Sequence, residues 1–193
     1  MKKIPFALIL ACGLASGSAF AATQGTVTIN GEVVDHTCEI VSGDVDKTVT
    51  LATVSTTAFA AADQIVAPQT FTIGLENCNA GVDVYAAFFA ENGASIDTST
   101  HTLVNTAPEE DAATNVNIAL FEESGRKIEL GNPLYNSGDV NAEPPVAPGA
   151  ETKRVAEGST STTLVYSAAY YSTDAAVTAG TVTATANYVI AYQ

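Results

Sequence analysis

The sequence predicts an all-β chain, a two-sheet sandwich of the immunoglobulin-like kind. Three observations carry that reading. Apolar and polar residues alternate with period two in several segments, and no long 3.6-residue periodicity competes. Branched Thr and Val residues, which suit a pleated surface, are abundant. Asn-Gly pairs at Asn30-Gly31 and Asn92-Gly93 supply turn signals between the runs. Trp is absent, so the buried indole of antibody domains is missing.

Taken in order, Thr26-Val27-Thr28-Ile29-Asn30 is the first alternating segment. Ala58 to Asp63 reads as one short helical turn. Val82 to Phe89 is apolar enough for a buried strand, and Val116, Ile118 and Leu120 mark one face of the next. Glu123-Ser124-Gly125-Arg126 then turns the chain before Ile128 and Leu130. Glu143 to Gly149 contains three prolines, which donate no hydrogen bond, so it reads as a surface loop. Leu164, Tyr166, Ala168 and Tyr170 share a face of another strand. In the last, Val182, Ala184, Ala186, Tyr188, Ile190 and Tyr192 line one side, with Thr181, Thr183, Thr185 and Asn187 on the other.

The first 21 of 193 residues read as a signal peptide. Lys2 and Lys3 precede the apolar run Pro5–Leu14, and Ala19-Phe20-Ala21 offers a cleavage site. The run is too short for a spanning helix, which needs about 20 residues. The expected layout is a signal at 1–21, an N-terminal segment at 22–31 and one β domain at 32–193. Export fits the cysteines. Cys12 leaves with the signal, and the remaining pair, Cys38 and Cys78, is most simply a disulfide in an oxidising compartment. The competing reading, a metal-binding thiol pair, needs about four close ligands, and only His36 and His101 could help.

Charge and motifs narrow the function classes. The formal charge of −14 becomes −16 once Lys2 and Lys3 are removed, and such a surface repels phosphate backbones and anionic lipid. There is no G-x-S-x-G elbow, phosphate loop, H-E-x-x-H or dinucleotide fingerprint. His101, in a Ser/Thr-rich stretch, reads as a solvated loop residue. Glu109-Glu110-Asp111 and Glu122-Glu123 lack calcium-loop spacing. No catalytic residue, cofactor or metal site is expected.

Two features stand out from that background. Ala22 to Asn30 precedes the Cys-bearing body and carries Gly25, Val27 and Ile29 on one strand face. Unpaired apolar strands seek partners, so this segment either folds back on its own sheet or completes a neighbour's. The terminal strand likewise runs apolar to Tyr192, the penultimate residue.

Together these residues resemble the subunits of chaperone–usher fimbriae, and in particular the major shaft pilins of type 1 and P pili. The resemblance covers Gly25 to Gln193. It rests on Val27-Thr28-Ile29-Asn30-Gly31-Glu32-Val33-Val34-Asp35 followed by Cys38, and on Leu75-Glu76-Asn77-Cys78. Asn115-Val116-Asn117-Ile118, Gly125, Gly180 and the penultimate Tyr192 complete the set. The resemblance implies an incomplete immunoglobulin-like sandwich completed by a donor strand from another subunit. It implies Gly25, Val27 and Ile29 as donor-strand residues, and Gly180, Val182, Ala184, Ala186, Tyr188, Ile190 and Tyr192 as the strand lining the groove and offered to a periplasmic chaperone. Cys38–Cys78 matches the family disulfide. Partners would be related pilins in a head-to-tail polymer, the chaperone and an outer-membrane usher. The location would be a surface fimbria of a Gram-negative bacterium that supports cell adhesion. The arm is short from Ala22, and Thr23 would take its outermost position. Two rival readings are a minor or adaptor subunit and a self-contained secreted β-sandwich that binds a ligand; an exported enzyme is a third.

Overall fold

Alternation sets the strands, and the sheets decide which face is buried. The computed structural model describes residues 38–90, 95–131 and 150–192. The signal segment, the arm with Gly25, Val27 and Ile29, His36, Asn92-Gly93 and Glu143–Gly149 lie outside the described residues. Among the described residues nine strands run in chain order: β1 (Glu39–Ile40), β2 (Ile65–Glu76), β3 (Asp83–Phe89), β4 (Ile96–Asp97), β5 (Thr102–Leu103), β6 (Val116–Glu122), β7 (Lys153–Arg154), β8 (Thr162–Ser172) and β9 (Asn187–Tyr192). They form one sheet of order β1-β2-β8-β6-β5-β4 and another of order β7-β3-β9, with every pairing antiparallel. This is the expected all-β sandwich.

Between the sheets, Ile73 and Leu75 of β2, Val84 and Ala86 of β3 and Leu164 and Tyr166 of β8 form the core. Tyr166 bridges the layers: its hydroxyl accepts the Ala86 N–H at 2.8 Å, and its ring meets Phe88 edge-on at 4.9 Å. Buried phenols need such a partner, because an unpaired polar atom in the core costs about 1–3 kcal/mol. Cys38 and Cys78 are joined in a disulfide that ties the start of β1 to the end of β2. Closing this loop of 40 residues restricts the unfolded chain by about 4 kcal/mol on a chain-entropy estimate.

Several local expectations need correction. β2 is twelve residues long, yet its alternation is readable only from Phe71 onward. The register slips between Val66 and Gln69, Ala67 sits at φ 52°, and Pro68 lacks a donor. A bulge is where a strand tolerates proline. β6 is buried at all seven positions rather than on one face. It lies inside its sheet, and Ala119 and Phe121 form a second small cluster with Ala169 and Tyr171 on the outer side, where the Lys127 ammonium covers the Tyr171 ring. The turn after β6 is as expected: Gly125 takes φ 84°, and the Glu122 N–H reaches the Arg126 carbonyl at 2.9 Å. The helical turn falls at Thr56–Ala58, capped by Ser55, rather than at Ala58–Asp63. His101 is half-buried rather than solvated, because its ring bonds the Leu130 carbonyl at 3.0 Å and faces Glu129.

The polar contacts set the pH range of this fold. Hydrogen bonds to Lys47, Ser99 and Ser124 respectively, foremost among their causes, hold Asp44, Asp97 and Glu151 below ordinary carboxylate values. Each therefore stabilises the fold above pH 3.8 to 4.5, a contribution lost as pH falls through the lowered values. Burial pushes the Tyr166 phenol up to about 12, and the hydrogen bond to Asp63 does the same for Tyr171. Unfolded tyrosines ionise near 10, so stability present below pH 10 is lost between pH 10 and 12. Urea melts across the pH range should show decline at both margins. Burial also raises the Tyr188 phenol, so phenolate absorbance should show three tyrosines titrating late.

Candidate functional site

The sandwich has a gap. Only Asn187–Tyr192 of the terminal segment pairs with β3, from Phe89↔Asn187 to Val84↔Tyr192. The preceding stretch keeps strand alternation, with Val182, Ala184 and Ala186 half-buried and Thr181, Thr183 and Thr185 exposed. Its odd-numbered backbone groups are tied to one side. Ala113 N–H donates to the Thr181 carbonyl at 3.0 Å and Thr106 N–H to the Thr183 carbonyl at 2.8 Å, while Thr183 N–H reaches Asn105 Oδ1. Successive strand residues direct their backbone groups to opposite edges. Those of Val182, Ala184 and Ala186 therefore point the other way, where they meet no hydrogen-bond partner among the described residues. Unpaired backbone of this kind is a template for another strand.

Across from that edge runs a second one. Residues 48–54 belong to no helix or strand ladder and make no backbone hydrogen bond among the described residues. A groove of about 780 Å³ separates the two edges. Its floor is the sandwich core itself: Phe71 and Ile73 of β2, Leu103, Ile118 and Leu120 of β5 and β6, and Ala168 of β8. A second hollow of about 610 Å³, lined by Val54, Phe59 and Val177, continues it, since Tyr170 and Val182 belong to both. Gly180 lies at that end. A side chain there would stand 2.3 Å from the Ala113 nitrogen, so only glycine lets the chain run against residues 111–113.

Of the residues singled out in the terminal strand, Val182, Ala184, Ala186 and Tyr188 line the main groove and Gly180 lines its continuation. Ile190 and Tyr192 do not; both pack on the core beyond the groove. The opposite wall and the floor were not legible as a site. The sequence signal for the wall is Val49 and Leu51, which pack on the core cluster beneath, alternating with Thr48 and Thr50.

A family model described as "Fimbrial protein" matches residues 24–193. The chain belongs to the fimbrial protein family. The F17 fimbrial protein of Escherichia coli is 41% identical over 199 aligned residues, covering 100% of both chains. The major fimbrial subunit SMF-1 of Stenotrophomonas maltophilia is 35% identical, covering 89% of this chain and 94% of its own. Among solved structures, a chaperone–usher pilus subunit aligns over 90% of this chain and 98% of its own at TM-score 0.54 and 21% identity. The P pilus rod subunit PapA aligns over 81% and 99% at TM-score 0.52 and 18% identity. These likenesses fix the fold as the incomplete immunoglobulin-like sandwich of pilins. This fimbrial protein is a structural subunit, its place is a surface fimbria of a Gram-negative bacterium, and pilus subunits polymerise with related subunits.

Proposed function

We propose that this fimbrial subunit polymerises head-to-tail by donor-strand exchange, its groove filled by the arm Ala22–Asn30 of a neighbouring copy. The observation that carries the reading is the pair of unpaired strand edges flanking a floor of core side chains. An inserted strand would gain backbone bonds on both sides and seat every second side chain in the core. From Gly180 to Tyr188 the groove offers nine positions, about 30 Å at strand rise. The alternating part of the arm, Ala22–Asn30, has nine residues, with Gly25, Val27 and Ile29 on one face. Burying Val27 and Ile29 contributes about 3–6 kcal/mol before backbone bonds are counted.

A head-to-tail contact does not close on itself, so repetition builds a filament. Before assembly the same edge, from Gly180 onward, would be covered by a periplasmic chaperone, with transfer to the next subunit's arm at an outer-membrane usher. In this reading residues 1–21 are the export signal, 22–31 the arm and 32–193 the pilin domain, and the fimbria supports adhesion. The test compares the mature chain with one beginning at Glu32, by electron microscopy and unheated SDS gels. The full chain should form rods and a resistant ladder. The shorter one should stay monomeric and capture an added Ala22–Gly31 peptide. Folded monomers from both chains would overturn the reading.

A further inference from the structure

Toward the Tyr188 end of the groove, side chains tie the two walls together. Tyr188 projects from β9 and donates its hydroxyl to the Asp44 carbonyl at 2.6 Å, joining one groove wall to the turn that begins the opposite wall. Four residues past it on the same face, Tyr192 accepts the Cys38 N–H at 2.6 Å. Beyond Tyr188, β9 is thus fastened to the 38–44 segment, whereas before it both walls present free backbone. The Asp44 turn is itself anchored to the floor. Its carboxylate accepts the Gly74 N–H of β2 at 2.7 Å and pairs with Lys47, while its own N–H returns to the Val41 carbonyl at 2.8 Å. Asp44 therefore links the floor, one wall and, through Tyr188, the other wall.

We propose that Asp44 and Tyr188 are positioning residues that end the groove and set the register of the strand it accepts. The proposal rests on the donor-strand reading above. A strand with period-two alternation can slide by two residues and still present the same face to the core. Hydrophobic pattern alone therefore permits several registers. A fixed barrier at one end leaves one.

The test uses the full chain assembled into filaments, with a photoreactive leucine analogue in place of Val27. Mass spectrometry then identifies the groove residues it labels. In the otherwise unaltered chain one position should be labelled. In Tyr188→Phe, which loses only the hydroxyl, labelling two residues along should rise about fivefold, the population change that loss of one ordinary hydrogen bond produces. Asp44→Ala should do the same, while Asp44→Asn, which keeps an acceptor for Gly74, should restore the single position. Unchanged labelling in both Tyr188→Phe and Asp44→Ala filaments would overturn the register stop and leave the donor strand intact. Label found nowhere in the groove, even in the unaltered chain, would overturn both.

Discussion

Gly180→Ala is expected to destabilise the subunit by about 3 kcal/mol or more, at the upper end of what overpacking costs. The added carbon would fall 2.3 Å from the Ala113 nitrogen, 2.5 Å from the Ala112 carbonyl carbon and 2.7 Å from the Asp111 carbonyl oxygen. All three are backbone atoms, so no flexible side chain can swing aside. The backbones meet there through Thr181 N–H to the Asp111 carbonyl at 2.7 Å and Ala113 N–H to the Thr181 carbonyl. These bonds hold the terminal segment as a groove wall. Relief of the clash must break them or move the wall, so assembly should fail along with stability. Urea melts of the purified variant read the first effect, and filament yield reads the second. A variant as stable as the parent would show that this close approach does not exist.

Ala184→Asp should leave the subunit folded and abolish its assembly. Ala184 is half-buried at the groove, among Ile118, Leu120 and Ala168. In the isolated subunit a carboxylate there can turn toward water through the groove mouth. Under an inserted strand it would be buried without a cation, since Lys47, the one basic residue lining the groove among the described residues, is paired with Asp44. Burying an unpaired charge costs several kcal/mol. Capture of an arm peptide should weaken by at least about 100-fold, or about 2.7 kcal/mol. Ala184→Ser, which adds only a hydroxyl, should assemble far better. Equal capture by Ala184→Asp and the parent would mean that the occupant does not cover this position.

Period-two alternation made the buried faces readable. It reports which side of a strand meets the core, and it placed Val182, Ala184, Ala186 and Tyr188 on one face before any coordinates. It carries no information about edges. That the ladder to β3 stops at Asn187, leaving residues 181–186 off it, depends on where β3 ends and on the Asn105 and Thr106 contacts that hold Thr181 and Thr183 apart from it. The wall at 48–54 was harder still, because it pairs with no other segment among the described residues, so no complementary run marks it. β2 escaped notice through its bulge at Ala67 and Pro68, and β6 was read as one-sided because Lys127 covers a face made of only two side-chain pairs. Cysteine counting worked because it needs no geometry: with Cys12 read as part of a signal, Cys38 and Cys78 are left as a pair, and they are bonded.

Amide hydrogen exchange on assembled filaments tests the donor-strand account most directly. The N–H groups of Val182, Ala184 and Ala186 point into the groove, and residues 48–54 face them from the other side. Both sets should exchange freely in the chain beginning at Glu32 and become strongly protected in filaments, together with alternate amides of the arm. If the amides of Val182, Ala184 and Ala186 exchange as fast in the filament as in the shortened subunit, no strand occupies the groove. The filament would then be held together by some other surface.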